Sequence, residues 1–585
     1  MLLINRPTRP VLSAVLSTKF SGFVLFCLYF MLTCALAVAQ KADTSKLLPI
    51  IIKNSRNSTS IVTDTGDVNK LNGDVIMEQG TSTMYCDSCN LNVKRNEMEA
   101  FGHVRIVQTG GTEADADYMH YTGNTKLAIL HGNVSLTDTS GKLKCEDLVY
   151  NMNTKTGVYT TGGTLQNDST VVTSKTGTYN SGTKDSRFEG NVVITDPRYH
   201  IKSEDLSYNT ATKIVEFFSP SVVTGEKSIL HTTCGTYDSK NEIAHFPCHS
   251  SAWYDERYIE GDTLNSSKLS GYSSADGHVI SIDTAHHSTL FSGHADYYRK
   301  TRILWATINP VLRQLNNGDS LFIAADTFYS APVRQKTDSV KKLSHKEKPK
   351  PEQAKTKKKN KATETFGKAT VTHETEIGTD TASDADSTAP RYYIGYHHVL
   401  IYSDSLQGRC DSISYTENDS IMRMIYTPIA WSHKSQITGD TILLKLDSGK
   451  LKSLFVPNNA YVVSQSGPPK ANLYDQIQGK TLTAHFVNNA ISDMLVLPEA
   501  ESIYYSKDEK GAYLGVTQGQ SERMHILFKD QKIERIICEE NPHQVMTPLS
   551  KADIPNMRLS RFQWLEEKRP KSKSELFKEQ IPEKK

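Results

Sequence analysis

The sequence has little tryptophan, almost no net charge and almost no helical periodicity. It contains 4 Trp among 585 residues, and 67 Lys and Arg nearly balance 65 Asp and Glu, for a net charge of +2. This balance provides no global attraction to nucleic acid, so we predict no nucleic-acid partner. Helical periodicity is nearly absent before residue 300, which argues against a helical or α/β fold.

Motifs that carry catalysis are also missing. We find no glycine-rich phosphate loop and no nucleophile elbow. Carboxylates recur at a regular spacing along the chain, as structural residues do, and no two of them form an evident acid/base couple. The pair His286-His287, the motif His294-x-Asp296 and the pair His397-His398 are scattered, with no supporting ligand set. We therefore predict no catalytic residues, no metal site and no cofactor, and we expect that the protein is not an enzyme.

The cysteines do not form a disulfide framework for the whole chain. Nine are present, and two of them lie within the first 38 residues, which leaves an odd number of seven. Cys86-Asp87-Ser88-Cys89 has redox or metal spacing, but no second pair completes a zinc site. The alternatives for this pair are a local disulfide and two inert strand thiols.

The N-terminus has the layout of a secretory signal peptide. Basic residues precede an apolar run from Phe20 to Val38, and Ala37-Val38-Ala39 is a small-x-small cleavage site. A transmembrane anchor is the alternative, because the run approaches the ~20 residues that span a bilayer. We predict a signal peptide at 1–39, followed by a flexible segment at 40–66, and hence an exported protein.

A repeat of fixed period dominates the chain after this segment. Five tyrosines follow one another at intervals of 29 positions: Tyr121, Tyr150, Tyr179, Tyr208 and Tyr237. Between them lie strands that contain a glycine followed by a β-former, such as Leu130-His131-Gly132-Asn133-Val134. A period near 30 residues indicates stacked units that bury their faces against their neighbours.

Each repeat unit reads as two or three short strands joined by tight turns. Leu130, Gly132, Val134 and Leu136 alternate with polar residues, which is the period-two pattern of a half-buried strand. The glycines inside these strands indicate bends or bulges. We therefore predict an elongated all-β fold of short antiparallel strands.

Composition divides the chain into blocks. Repeats fill a domain at 67–332, and strand-like sequence resumes in a second block at 391–566. The intervening residues 333–390 are rich in lysine and poor in large apolar residues, which predicts a disordered linker or insertion. We predict a charged, disordered tail at 567–585. The sequence leaves open whether the second block continues the first.

The alternation of Asp or Glu, Leu, x and Tyr with intervening Gly-Asn-Val strands resembles the OstA-like family of periplasmic lipopolysaccharide-transport proteins. The resemblance implies an open β-jellyroll whose apolar interior holds lipid acyl chains, in a bridge that helps to move lipopolysaccharide or a related glycolipid from the inner to the outer membrane. The inward alternating positions are then the lipid-groove candidates: Val104, Ile106, Leu130, Val134, Leu136, Phe188, Val192 and Ile194.

The resemblance also implies partners and a location. It predicts contacts with other lipopolysaccharide-transport proteins of both membranes through edge strands, and it leaves self-association open. The expected location is the periplasm, with association with the outer membrane as an option. The alternatives are an exported structural or adhesive β-repeat protein and a β-helix enzyme that acts on polysaccharides.

Overall fold

The computed structural model describes residues 48–62, 66–316, 319–333, 389–447, 450–487, 490–508, 510–529 and 532–577. The predicted signal peptide at 1–39 and nearly all of the predicted linker at 333–390 lie outside these residues. The described secondary structure consists of strands and five short 3-10 helices, at Pro469–Ala471, Leu549–Lys551, Ile554–Asn556, Glu566–Lys568 and Lys573–Glu575. The predicted all-β, antiparallel fold class is confirmed.

The chain forms two compact units, and the first contains residues up to 139 together with 144–159. Its strands are β1 (Ile51–Asn54), β2 (Asn57–Ile61), β3 (Val68–Gln79), β4 (Ser82–Asn92), β5 (Glu97–Gln108), β6 (Thr112–Thr122), β7 (Leu127–Thr137), β8 (Lys142–Asn151, whose first two residues belong to the second unit) and β9 (Thr156–Tyr159).

The second unit contains residues 140–143 and the chain from 160 onwards. Its strands up to the middle of the chain are β10 (Gly163–Asn167), β11 (Thr170–Ser174), β12 (Thr176–Asn180), β13 (Asp185–Asp196), β14 (Tyr199–Asn209), β15 (Ile214–Phe217), β16 (Ser221–Gly225), β17 (Ser228–Thr232), β18 (Gly235–Asp238), β19 (Ile243–Phe246), β20 (Ser250–Tyr254), β21 (Arg257–Gly261), β22 (Thr263–Ser267), β23 (Tyr272–Asp283) and β24 (Ser288–Tyr298).

The later strands of the second unit complete the fold. They are β25 (Ile303–Thr307), β26 (Val311–Asn316), β27 (Asp319–Ala324), β28 (Thr327–Pro332), β29 (Arg391–Tyr396), β30 (Val399–Tyr402), β31 (Gln407–Cys410), β32 (Ser412–Thr416), β33 (Ile421–Ile425), β34 (Ile429–Ser432), β35 (Ser435–Thr438), β36 (Thr441–Asp447), β37 (Lys450–Val456), β38 (Ala460–Gln465), β39 (Tyr474–Gly479), β40 (Thr481–Val487), β41 (Ala490–Leu497), β42 (Ala500–Lys507), β43 (Tyr513–Ser521), β44 (Arg523–Lys529), β45 (Lys532–Glu539) and β46 (His543–Pro548).

In the first unit, long strands pair in sequence order and bend in the middle. From β3 to β7 each strand pairs antiparallel with the next, and the register shifts at the centre of each pair. The two halves of β3 also have different outer neighbours, because β1 pairs with residues 76–78 and β2 with residues 68–72. Each long strand therefore contributes one half to each of two layers.

Glycine makes the bend possible. In β7, Gly132 has φ +76° and the following Asn133 has φ +48°, so two successive residues adopt the left-handed conformation. Glycine enters this region freely, and asparagine tolerates it better than most residues. A Cβ atom on Gly132 would lie 2.7 Å from Oδ2 of Asp117. The bulge turns the strand and keeps Leu130 and Val134 on the inner face, where both are fully buried.

The second unit also has two layers, and most of its strands belong to one of two separately hydrogen-bonded sheets. Residues 206–208 of β14 pair with β15, whereas residues 199–202 pair with β16. Further along the chain, two consecutive strands join one sheet and the next two join the other. The long strands β23 and β24 again belong to both sheets. After β24, sheet I consists of β25, β28, β29, β32, β33, β36, β37, β40, β41, β44 and β45, and sheet II of β26, β27, β30, β31, β34, β35, β38, β39, β42, β43 and β46.

One hydrophobic core joins the two sheets of this unit. It combines Met424 and Leu444 of sheet I with Val399 and Ile401 of sheet II, and all four are fully or almost fully buried. Side chains from two sheets share a single core only when the sheets face each other. The unit is thus a repetitive two-layer β-jellyroll.

The block after residue 390 extends the same two sheets. β28 pairs with β29 and β27 pairs with β30, so strands from both sides of residues 334–388 are direct neighbours. The second repeat block therefore continues the jellyroll of residues 160–332.

The C-terminal segment at 549–577 crosses the outer face of sheet II. The buried side chain of Gln476 accepts a hydrogen bond from the backbone of Leu559 at 2.9 Å and donates one to the carbonyl of Met557 at 2.9 Å. Trp564 packs against Tyr474, with ring centroids 5.4 Å apart. We expected residues from 567 to form a disordered tail, but residues 567–577 are part of this segment. Arg569, for example, donates through Nε to Gln407 at 3.0 Å.

A substitution at the bend should destabilise the second unit. Gly277 of β23 has φ +70°, and a Cβ atom there would lie 2.4 Å from Oδ2 of Asp262. Gly277→Ala should therefore lower the free energy of unfolding by about 1–3 kcal/mol. Hydrogen exchange of β23 and β24 measures this loss. Gly467→Ala is the control, because its nearest neighbour is the side-chain atom Cδ1 of Leu473 at 3.3 Å and its φ is not left-handed. Equal effects of the two variants would contradict this role of the bend.

Candidate functional site

All eight predicted groove residues lie on inner faces of the layers. Five are in the first unit, Val104 and Ile106 on β5 and Leu130, Val134 and Leu136 on β7, and three are on β13 of the second unit, Phe188, Val192 and Ile194. Each is at most 1% exposed. The period-two alternation therefore identified the inward side of each strand, while the role of these residues in lipid binding stays a prediction.

Small and large residues alternate between neighbouring strands on the inner faces of the first unit. Ile106 of β5 and Leu136 of β7 both lie opposite Ala114 of β6, and Val104 lies opposite Ala116. In the second unit, Phe188 lies opposite Leu206. The inner faces are apolar and their side chains are packed together.

The repeated tyrosines join the two layers at the edge away from the bend. In the first unit, Tyr121 donates a hydrogen bond to Oε1 of Gln79, and Tyr150 donates to Oε1 of Gln108 at 2.6 Å. Each tyrosine lies near the end of one strand half, and each glutamine ends a half in the other layer. We call these contacts the tyrosine clasps.

The second unit has a clasp of the same design. Tyr208 of β14 donates to Oδ1 of Asn167, at the end of β10, over 2.7 Å. Burial raises the pKa of the Tyr121 and Tyr208 hydroxyls above the usual range, so both remain neutral donors at physiological pH. Three of the five tyrosines in the 29-residue series, Tyr121, Tyr150 and Tyr208, therefore form interlayer hydrogen bonds.

The acceptors of these bonds are functional residues that the sequence reasoning missed. Gln79 and Gln108 are themselves 29 positions apart, and each precedes its tyrosine by 42 residues. A polar residue that recurs at the end of the long strands is the signal that would have identified them. Gln79 is 2% exposed, which marks it as a polar residue that needs a partner.

The bend edge carries polar pairs that face solvent. His103 lies 2.8 Å from Oδ2 of Asp87, and Asn133 donates to Oδ2 of Asp117 at 2.7 Å. The hydrogen bond that His103 donates to the carboxylate of Asp87 raises the pKa of His103. Because these pairs are exposed, they contribute little to stability, and they serve to hold the bulges of neighbouring strands together.

The disulfide of the described residues does not involve the Cys86-Asp87-Ser88-Cys89 motif. Cys86 and Cys89 are free, buried thiols on β4, which corresponds to the second alternative for this pair. A disulfide joins Cys234 and Cys248 instead, with Cα atoms 6.0 Å apart. It was not expected, because 14 positions separate its cysteines and no recognised motif contains them.

Within the described ranges, no cluster of three or more His, Cys, Asp or Glu side chains is arranged to hold a metal ion. In the same part of the chain, no helix has the length and apolarity to cross a membrane.

Comparison with known families assigns part of the chain. Residues 48–204 match the family described as OstA-like protein. We call this stretch the OstA-like segment. The predicted resemblance is confirmed there, and the OstA-like segment contains all eight groove candidates and the clasps of Tyr121 and Tyr150. No curated protein sequence matches the chain.

Solved structures also match, 21 chains in number. One is the crystal structure of LptH from Pseudomonas aeruginosa, described as the LptA homologous periplasmic component of the conserved lipopolysaccharide transport device. It shares 13% identity, and the match covers 24% of this chain and 95% of that chain with a TM-score of 0.19. With so low a score, the fold assignment rests on the strand pairing described above.

The tyrosine clasps predict graded effects on stability. Tyr150→Phe should destabilise its strands by about 1–3 kcal/mol, because the buried Oε1 of Gln108 loses its donor. Tyr208→Phe should cost about 1 kcal/mol or less, because Oδ1 of Asn167 keeps a second donor, Nζ of Lys213. Hydrogen exchange of β8 and β14 measures the two losses, and a larger loss for Tyr208→Phe would contradict the assignment.

Proposed function

We propose that this protein is a non-enzymatic carrier that helps to move lipopolysaccharide or a related glycolipid across the periplasm. The observation that carries the proposal is the apolar inner faces of the two layers within each unit, lined by residues such as Val104 and Val134 in the first and Val192 in the second, which are at most 1% exposed. In this proposal the acyl chains lie between the layers, and the saccharide remains in water.

The energetics favour such an arrangement. Hiding an acyl chain from water is worth about 0.8 kcal/mol for each methylene group. The cost of admitting it is the separation of two layers that pack through apolar contacts and are joined at each clasp by a few hydrogen bonds, such as those of Gln108 with the hydroxyl of Tyr150 and the carbonyl of Met152. Each neutral hydrogen bond contributes only about 0.5–1.5 kcal/mol, so a lipid with several chains can offset the opening of a few repeats.

The last strands of the second unit support docking to other transport proteins. β45 pairs with β44 and β46 pairs with β43, and among the described residues neither has a second neighbouring strand. All but one residue of β46 are exposed, including Val545 and Met546. Exposed edges of this kind accept a strand from another chain, which fits the proposed contacts with membrane components of the transport route or with a second copy.

The proposal also requires export. The sequence expectation of a signal peptide at 1–39 predicts that the exported chain is recovered in the periplasmic fraction, alone or with the outer membrane. An adhesive surface protein, the alternative, would be digested by protease added to intact cells.

Photo-crosslinking tests the position of the lipid. A photoreactive phenylalanine analogue at Val134 or at Val192 should capture lipopolysaccharide in living cells, because both positions face the interior. The matched controls are the neighbouring positions Asn133 and Asn191, which are exposed on the outside of the same bends. The adducts are detected by an antibody against lipopolysaccharide after denaturing gel electrophoresis.

The expected result is capture at the two inner positions and little at the two outer ones. Capture at Asn133 and Asn191 alone would contradict an interior site. Capture at none of the four positions, with normal protein levels, would contradict carriage itself.

A further inference from the structure

The outer face of sheet I carries aromatic side chains on successive strands. They are Tyr272 of β23, Tyr298 of β24, Trp305 of β25, Tyr329 of β28 and Tyr392 of β29. Ring centroids lie 5.4 Å apart for Tyr272 and Tyr298, 4.6 Å for Trp305 and Tyr329, and 5.7 Å for Tyr329 and Tyr392. We call this set the aromatic patch.

Three of these rings are open to solvent. Tyr272 is 36%, Tyr298 41% and Trp305 37% exposed, although each ring packs edge-on or tilted against a neighbour. Large aromatic side chains are rarely left in water in such number on one face without a binding role.

A chain of polar groups runs beside the rings on the same face. Tyr272 donates to Oδ1 of Asp296 at 2.7 Å. Nε2 of His294 lies 3.1 Å from Oδ2 of Asp296, and Nδ1 of His294 lies 2.6 Å from Oδ1 of Asp276. Asp296 is also the cross-strand neighbour of Trp305, so carboxylate and aromatic ring stand side by side.

The charges of this face limit the choice of ligand. The outward positions of β22 to β25, β28 and β29 carry Asp, His, Ser, Thr, Asn and aromatic residues, together with aliphatic residues such as Ile303 and Ile394, but no Lys or Arg. The two carboxylates Asp276 and Asp296, which share His294 as their basic neighbour on these strands, disfavour phosphate-rich ligands and anionic membranes. A purely apolar partner would strip water from Asp276 and Asp296 with no hydrogen bond in return.

A pyranose saccharide can bind both the aromatic rings and the carboxylates of this surface. Its C–H faces pack on flat aromatic rings, and its hydroxyl groups donate hydrogen bonds to carboxylates. We propose that the aromatic patch, together with Asp276, His294 and Asp296, is a saccharide-binding site on the outside of the jellyroll. The site does not depend on the carriage of acyl chains in the interior, and its saccharide is either the sugar part of a glycolipid or a cell-wall glycan.

Two probes distinguish these sources. The purified mature chain is titrated with the lipid-free oligosaccharide released from lipopolysaccharide by mild acid, and separately with soluble peptidoglycan fragments. Isothermal titration calorimetry should show saturable binding of one probe, which identifies the source.

Two tryptophan variants locate the site. Trp305→Ala should weaken binding about tenfold or more, as for an aromatic anchor at the centre of an interface. Trp253→Ala is the matched control, because Trp253 is 39% exposed and also packs against a tyrosine, Tyr258, but lies on β20 with the strands of sheet II. This variant should bind as the unaltered chain does.

Thermal unfolding of both variants verifies that they fold. Asp276→Asn, which keeps the size of the side chain and removes its charge, should also weaken binding. The proposal is wrong if neither saccharide binds, if Trp305→Ala and Trp253→Ala bind equally well, or if Trp305→Ala instead converts a dimer into a monomer in sedimentation while saccharide binding is unchanged.

Discussion

The bend in the long strands is the constraint on which the rest of the structure depends. At the bends of β3, β5, β7, β13 and β23 two consecutive residues adopt the left-handed conformation, as Gly132 and Asn133 do in β7 and Gly277 and His278 do in β23. The bulge sends the two halves of a strand into different layers and keeps apolar side chains inward on both sides. The interior, the clasp edge and the separate sheets of the second unit all follow from this geometry.

The inner and outer surfaces of the second unit then serve different purposes. Its inner faces are apolar, and they belong to the kind of interior that we propose for acyl chains. Outside, one sheet is covered by the chain's own C-terminal segment, which the amide of Gln476 holds by its backbone. The other sheet presents the aromatic patch, with Trp305 beside Asp296. A glycolipid has both an apolar and a saccharide part, and the two proposals assign one part to each kind of surface.

Local patterns predicted much of this fold. Alternation placed Val134 and Val192 inward, and the repeated glycines indicated bends, because both signals depend on neighbouring residues alone. The partners of the tyrosines were not predictable in this way, since Tyr150 and Gln108 meet only after two strands have folded over. The disulfide between Cys234 and Cys248 and the continuity of β28 with β29 are likewise non-local. At the C-terminus a charged composition suggested disorder, whereas Arg569 is held by Gln407, a residue 162 positions away.

Carriage of lipopolysaccharide is the central claim, and its most direct test is depletion of the protein in its native host. Surface lipopolysaccharide is then quantified by an antibody on intact cells, and the inner-membrane fraction is assayed in parallel. The account predicts that surface lipopolysaccharide falls while the inner-membrane pool rises, before growth stops. Unchanged amounts in both places after complete depletion would contradict it.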